Sequence, residues 1–333
     1  MMSSDNYAGR LSEYKNKGIC GLPESVDSNR TLDYKVPKLL KMIKESKYIV
    51  VLSGAGISTS AGIPDFRGPK GIWTVEENDK KELKRKRRKT INKNQTIEIV
   101  KCEDEEEKKS PLSQATIRLQ SSSSREQEND QFRNSRKRSI DKKLQTEERI
   151  SSNELSFEKA RPTETHNAIS KLVDLGIIKY VITQNVDGLH RRSGVPRSKQ
   201  SILHGCIFTE KCRICSTEYF RNFDVGGVSF QPTGRKCTAD GCAGDLLDTI
   251  LDWEDELPDM DWGLAQEHCA RSDLVLAIGT SLRIEPAGSL PTFAKKFVII
   301  NKQVTPYDDK AALIIRAPVD DIFSRVMNEV LKE

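Results

Sequence analysis

A doubly wound parallel α/β sheet carrying a small cysteine-paired module is the fold this sequence predicts, on three observations. Short apolar runs ended by glycine, such as Ile49, Val50, Val51 and Leu52 before Gly54 and Gly56, have the pattern of fully buried strands feeding tight turns. These runs alternate with stretches of helical periodicity, as strands joined by crossover helices do. Two close cysteine pairs, Cys212 with Cys215 and Cys237 with Cys242, interrupt the alternation once.

Residues 1–34 hold Tyr7, Tyr14, Cys20 and several glycines without clear periodicity, the pattern of an irregular arm. The spacing of Val36, Leu39, Leu40 and Ile43 is helical from Val36 on, with Pro37 tolerable in a first turn. The first strand follows at Tyr48 and runs into GAGIS. Glycine lets backbone N–H groups approach an anion closely, and a helix starting there adds its positive end, so the turn suits a phosphate. The glycine pattern is incomplete, because Gly62 falls six residues after Gly56, and an ordinary structural turn explains GAGIS alone equally well. Pro64, Asp65, Phe66, Arg67 and Gly68 then place an acid, an aromatic ring and a guanidinium beside the turn, which a plain turn does not need.

After Trp73 the apolar pattern stops. The stretch from Asp79 to Lys159 has no glycine, one proline, and 22 Lys or Arg against 16 Asp or Glu, while the remainder carries 32 basic and 33 acidic residues. The whole excess of positive charge therefore lies in one segment, and the net charge of +5 says nothing about the rest. With so little apolar area to offset its ordering entropy, 79–156 is expected to be a largely disordered insertion. Its runs KRKRRK at Lys84–Lys89 and RKR at Arg136–Arg138 suit either a solvated spacer or a nuclear-import or nucleic-acid-contacting tract.

Order returns near Phe157. Thr163 can cap a helix whose apolar positions Ala168, Ile169, Leu172, Val173 and Leu175 cover one face, and Gly176 can end it. A strand at Tyr180–Thr183 runs into Gln184, Asn185, Val186 and Asp187. Two more, Leu274–Ile278 and Phe297–Ile300, run into Gly279, Thr280 and Ser281 and into Asn301 and Gln303. Polar side chains at the carboxyl ends of buried parallel strands sit where such sheets bind ligands. A last helix is expected over Asp321–Leu331, burying Ile322, Phe323, Val326, Val330 and Leu331.

The cysteine pairs have the form C-x2-C, 21 residues, C-x4-C. Two such pairs about 20 residues apart suit one tetrahedral Zn²⁺ held by four thiolates, against the alternative of four unrelated buried cysteines. An ion with four sulfur ligands has no open position, so its role is structural. Cys206 and Cys269 fit neither pair and are expected to be small buried or partly buried residues. Eight cysteines in 333 residues are too sparse for a secreted disulfide scaffold. No apolar run approaches the roughly 20 residues that span a bilayer, and the N-terminus has no apolar signal region, so a soluble intracellular protein without membrane contact is expected.

Five motifs in order, GAGIS with PDFRG at Gly54–Gly68, TQNVDGLH at Thr183–His190, LHG at Leu203–Gly205, the cysteine pairs, and GTSL at Gly279–Leu282, resemble the sirtuin family. ILDWEDELP at Ile250–Pro258 and GPKGIW at Gly68–Trp73 are similar to its class IV, chromatin-associated branch, the one that includes sirtuin-6. The resemblance covers the chain outside the insertion. It implies a Rossmann-type domain over 35–78, 157–205 and 246–333, a zinc-ribbon domain over 206–245, and a cleft between them where NAD and an acyl-lysine peptide meet. Carried over by motif, Ala55, Thr59, Phe66, Arg67, Trp73, Gln184, Gly279, Ser281, Asn301, Gln303 and Val319 line the NAD site, with Asp65 and Thr280 beside them. Ser58, Asn185 and Asp187 form the nicotinamide pocket, His204 is the general base, and Asp252 and Trp253 line the peptide groove.

The activity so implied is NAD-dependent removal of acyl groups from protein lysine, with histone tails as substrates, a nuclear location and NAD consumed. Asn185 and Asp187 offer hydrogen-bond partners to a carboxamide. An imidazole with an ordinary pKa near 6.5 can take a proton from a ribose hydroxyl at neutral pH. Each residue also has a plainer reading: His204 as a structural hydrogen-bonding group, Asp65 and Arg67 as a mutual ion pair, Trp73 as core. Cys206, directly after LHG, carries the expectation of an oxidation-sensitive thiol. Mono-ADP-ribosyl transfer and a non-catalytic zinc module that contacts chromatin are the competing functions. A dehydrogenase fits worse, because it wants a full G-x-G-x-x-G.

Overall fold

The computed structural model describes residues 7–12, 17–86 and 157–332. The chain divides into two compact units, 1–74 with 155–333, and 75–154. In the first unit ten strands form two sheets. They are β1 (Ile49–Ser53), β2 (Ile178–Thr183), β3 (Gln200–Ile202), β4 (Thr209–Cys212), β5 (Glu218–Phe220), β6 (Pro232–Lys236), β7 (Asp245–Asp248), β8 (Leu274–Ile278), β9 (Phe297–Ile300) and β10 (Leu313–Ile315).

The larger sheet has the order β10-β9-β8-β1-β2-β3 and is parallel throughout. The chain builds outward from β1 to one side through β2 and β3, then returns to add β8, β9 and β10 on the other. The order therefore reverses between β1 and β8, and the crevice beyond their carboxyl ends is where sheets of this kind bind ligands. β1, β8 and β9 are buried on both faces, which explains why they appear in the sequence as continuous apolar runs. Val51, Leu276 and Val298 face a core formed with Leu39, Ile169, Leu172, Phe323 and Val326. Val50, Leu52, Val275 and Ile299 face a second core with Leu203, Ala265, Cys269 and Leu290. Each such side chain contributes roughly 1.5–3 kcal/mol through burial.

The helix over Glu164–Asp174 is capped as expected. The Thr163 side chain accepts from the His166 amide and His166 reaches back to the Thr163 amide, while Gly176 takes the left-handed conformation just beyond the end. The first long helix starts earlier than its apolar spacing suggests. It spans Asn29–Glu45 with Ser28 as its cap, so Pro37 lies inside it and not in a first turn. Its first turn is polar, and only the cap marks its start. The last helix, Val319–Val330, buries Ile322, Phe323 and Val326; Val330 is only half-buried and Leu331, expected inside, is exposed because it follows the helix end.

Two expectations are corrected. No helix begins at the glycine turn: Ala55–Ile57 and Thr59–Ala61 form short 3-10 turns, and Gly62 ends them in a left-handed conformation. Residues 72–86 are helical, so order does not stop at Trp73, and the first residues of the expected insertion, 79–86, are not irregular. Lys81 and Lys86 pair with Glu77 and Glu82 one turn away, and Lys, Glu and Arg favour helix without needing burial. The rest of that insertion, 87–156, lies outside the described residues. Among the described residues no helix is long and apolar enough to cross a membrane.

The smaller sheet is antiparallel, in the order β5-β4-β7-β6. Glu210 is fully buried at its centre and is held by the guanidinium groups of Arg221 (2.8 Å) and Arg235 (2.7 Å). At one end Cys212, Cys215, Cys237 and Cys242 bring their sulfurs within 4.8 Å of one another. The Cys212–Cys242 and Cys215–Cys237 separations are both 3.6 Å. A tetrahedral Zn²⁺ with bonds of about 2.3 Å has sulfur–sulfur edges near 3.8 Å, so the four thiols fit that ion closely. Gly244 lies against this site, where a Cβ would come 2.8 Å from the Cys212 sulfur. Cys212→Ser is expected to cost the protein its zinc and to lower its melting temperature, because structural zinc contributes directly to folding. Metal content by mass spectrometry and a thermal melt test this, and unchanged melting of metal-free protein contradicts it.

Candidate active site at the carboxyl ends of the strands

The turns that follow β1 and β8 touch backbone to backbone. The Gly54 amide donates to the Ile278 carbonyl at 3.1 Å and the Gly56 amide to the Gly279 carbonyl at 2.8 Å. A Cβ at Gly54 would meet Thr280 at 2.7 Å, and one at Gly56 would meet the Gly279 carbonyl at 2.8 Å. Gly279 itself has φ +56° and no room for a Cβ beside Ile57. Ala55 is half-buried in the turn, while Thr59 is exposed on it, its hydroxyl donating to the Gly56 carbonyl at 3.1 Å.

β2 delivers its polar residues to the same place. Gln184 donates through Nε2 to the Thr280 hydroxyl at 3.0 Å, and Asn185 donates through Nδ2 to the Gly54 carbonyl at 3.1 Å and to Ser58 at 3.3 Å. The buried Ser58 hydroxyl donates to Asp187 at 2.6 Å, and the second oxygen of that carboxylate accepts from the Leu189 amide at 2.9 Å. Ser58, Asn185 and Asp187, grouped on sequence grounds, are thus one hydrogen-bonded cluster.

His204 follows β3. Its Nδ1 lies 3.1 Å from the Gln184 carbonyl, which can only accept, so Nδ1 carries the ring proton and Nε2 is the basic nitrogen. Burial, with Arg67 adding to it, pushes the imidazole pKa down to about 4, while the Gln184 carbonyl opposes that shift. Gly205 beside it has φ +80°, and a Cβ there would fall 1.8 Å from the Thr249 carbonyl. The glycine of LHG therefore allows the chain to cross β7's exit and set His204 at the strand ends.

Phe66, Arg67 and Trp73 form one wall. Phe66 packs on Trp73 at 4.8 Å and the Arg67 guanidinium lies 4.5 Å over the same indole. Asp65 is folded inside this loop: its carboxylate accepts from the Gly68 amide at 2.7 Å, and burial raises its pKa. At the exit of β9 Asn301 donates to the Gln303 carbonyl at 2.9 Å, and Gln303 donates to the carbonyls of Leu22 (2.7 Å) and Arg67 (3.3 Å). Ser281 is half-buried at the exit of β8. Val319 begins the last helix, tied to the glycine turn through the bond from Ser60 to Asp320 at 2.6 Å.

The N-terminal arm packs on the site, a point its sequence left open. Tyr7 is buried edge-on against Phe66 and Phe157, and burial raises its phenol pKa. Arg10 pairs with Asp224 of the smaller sheet's connections. Ser12 donates to Asp252 at 3.1 Å and accepts from the Trp253 indole at 3.1 Å, so both residues expected in a peptide groove are engaged by the arm. Arg67 donates to the Lys17 carbonyl at 2.9 Å. Cys206 is buried, as expected for a cysteine outside the pairs, and burial pushes its thiol up to about 11, which argues against the oxidation-sensitive thiol expected there.

A family model described as "Sir2 family" matches residues 54–122 and 113–286. The NAD-dependent protein deacetylase SRT1 of Arabidopsis thaliana is 38% identical over 328 residues, covering 97% of this chain and 55% of the relative. The NAD-dependent protein deacetylase Sirt6 of Drosophila melanogaster is 37% identical over 334 residues, covering 97% and 84%. The chain spans about half the length of SRT1 from Arabidopsis thaliana and from Oryza sativa. Among solved structures, a Sir2 homologue in complex with ADP-ribose is 25% identical with a TM-score of 0.55, covering 89% of this chain and 96% of that one. A Sir2 protein with a deacetylated p53 peptide and 3'-O-acetyl ADP-ribose is 27% identical with a TM-score of 0.54, covering 89% and 98%. The order of the strands, the paired glycine turns and this extent of similarity lead to one conclusion: the chain belongs to the Sir2 family.

Proposed function

We propose that this chain is an NAD-dependent protein-lysine deacylase that moves an acyl group from lysine to ADP-ribose. The observation that carries the reading is His204, a neutral imidazole with its proton fixed on Nδ1, placed one bond from Gln184 and beside the Ser58–Asn185–Asp187 cluster. The relatives named NAD-dependent protein deacetylase, and the Sir2 structures holding ADP-ribose or a deacetylated peptide, support it.

NAD, consumed as co-substrate, supplies an activated ribose once its nicotinamide bond breaks. The residues present fit it. Thr280 and Ser281, beside the glycine turn at the exit of β8, offer polar groups to the diphosphate, and Asn301 and Gln303 offer hydrogen bonds at the exit of β9. Asn185 and Asp187 can orient a carboxamide, since both are already fixed by their own partners. Phe66 and Trp73 exclude water from that end of the crevice. His204 can take a proton at Nε2 from a hydroxyl, because its neutral form persists to well below neutral pH.

Histone tails as substrates and a nuclear location fit the basic run Lys84–Lys89 and the resemblance to the chromatin-associated branch. Product analysis with NAD and acetylated or long-chain acylated histone peptides tests the reading. Free nicotinamide with acyl-ADP-ribose supports it, whereas labelled protein indicates ADP-ribosyl transfer and no NAD turnover indicates a binding role.

His204→Ala is expected to lower nicotinamide release by about 10²–10⁴-fold, the usual weight of a general base, while NAD affinity by calorimetry stays close to wild type. Retained turnover removes His204 as the base. The acid limb of kcat/KM, which reports the free enzyme, is expected well below the ordinary imidazole value of about 6.5, toward the His204 value of about 4. A limb at or above the ordinary value contradicts the assignment.

A further inference from the structure

Beneath the glycine turn lie two histidines that the chemistry above does not use. His166 and His190 are both buried, with ring centroids 4.8 Å apart and planes inclined by 59°. Each ring has one nitrogen well partnered. The Thr163 amide donates to His166 Nδ1 at 3.3 Å, and His190 Nε2 lies 2.8 Å from the Ser53 hydroxyl. The other two nitrogens, His166 Nε2 and His190 Nδ1, are buried with no hydrogen-bond partner.

The partnered atoms fix what the orphans are. An amide can only donate, so His166 Nδ1 is an acceptor and the ring proton sits on Nε2. That leaves a buried N–H donor needing an acceptor. The Ser53 hydroxyl can donate onward to the Ile182 carbonyl at 3.4 Å, which leaves it to accept from His190 Nε2–H. His190 Nδ1 is then a bare acceptor needing a donor. The two unmet needs are complementary, and they are a ring apart.

We propose that a single buried water joins His166 Nε2–H to His190 Nδ1, and that the pair is a positioning brace for the cofactor turn. The brace holds that turn at both ends. His190 binds Ser53, the residue before Gly54, while the Thr163 hydroxyl lies 2.8 Å from His166 Nδ1 and 3.2 Å from the Ile57 carbonyl, its one proton shared between these two acceptors. Between those two points lie Gly54, Ala55 and Gly56. The charged groups facing the pair are Asp187 toward His190 and Asp320 toward His166. Burial outweighs both carboxylates, holding His166 down to about 4 and, with His166 adding to it, His190 down to about 3, so both stay neutral. Protonation of His166 would put a second donor against the Thr163 amide. The water bridge does not depend on the deacylase reading, but the role toward NAD does.

Long-range ¹H–¹⁵N spectra of histidine-labelled protein without ligand test the bridge itself. The expected result is two neutral rings, His166 in the Nε2–H form, and a protected Nε2 proton that vanishes in His190→Phe. His166 protonated on Nδ1, or either ring titrating near the ordinary value of about 6.5, overturns the proposal. NAD binding by calorimetry tests the role. His166→Asn keeps a group for the Thr163 amide but loses the Nε2 proton. It and His190→Phe are each expected to weaken NAD binding by roughly 3–10-fold, the loss of one net hydrogen bond, with kcat changed less. The double variant is expected to be no worse than either single one, as for two ends of one bridge. Additive losses, or unchanged affinity in folded variants, overturn it. Should wild-type protein show the expected spectra and bind no NAD, the deacylase reading fails and the bridge stands.

Discussion

The whole site depends on two turns pressed together without side chains between them. At the carboxyl ends of β1 and β8, Gly54 and Gly56 meet Gly279 and Thr280 so closely that a single methyl group at either glycine would collide with backbone or Cβ. Adjacent parallel strands lie about 4.8 Å apart, so the first residues of two turns that leave neighbouring strand ends touch backbone to backbone only where glycine removes the side chains between them. What this contact yields is a close-packed, internally hydrogen-bonded floor at the point where the strand order reverses. Every functional group described here is hung from that floor or from a turn beside it.

Polar side chains around the floor are held before any ligand arrives. Asp187 is fixed by Ser58 and Leu189, Asn185 by Gly54, Gln184 by Thr280, and His204 by the Gln184 carbonyl. Such fixing lowers the cost of ordering them when substrate binds. It also separates the roles of the histidines. All three that lie in this region are pushed toward neutrality by burial, yet only His204 leaves a basic nitrogen at the strand ends, while that of His166 is held by Thr163 and that of His190 is buried.

The arm and the smaller sheet complete the crevice from the other side. Tyr7 fills the space between Phe66 and Phe157, Ser12 spans Asp252 and Trp253, and Arg67 and Gln303 reach back to the carbonyls of Lys17 and Leu22. A segment with no periodicity of its own thus orders the aromatic wall, through contacts with residues more than two hundred positions away in the case of Ser12.

Some of this was legible in the residues taken one after another. β8 and β9 fall where their apolar runs place them, Thr163 caps its helix, and the cysteine spacing brings four sulfurs together, because each depends on neighbours a few positions off. Motif order located the polar residues after each strand for the same reason. Other features needed the fold. β3 and β10 are three residues long, and the helix over Asp259–Arg271 buries only Asp261, Ala265 and Cys269, so neither shows a period to detect. The docking of the arm, the inertness of Cys206 and the facing of His166 with His190 are set by distances between segments far apart in the chain. Local pattern specifies which backbone shape and which face a residue prefers; burial, the tautomer of a ring and the partner of an orphaned nitrogen exist only once those segments have packed.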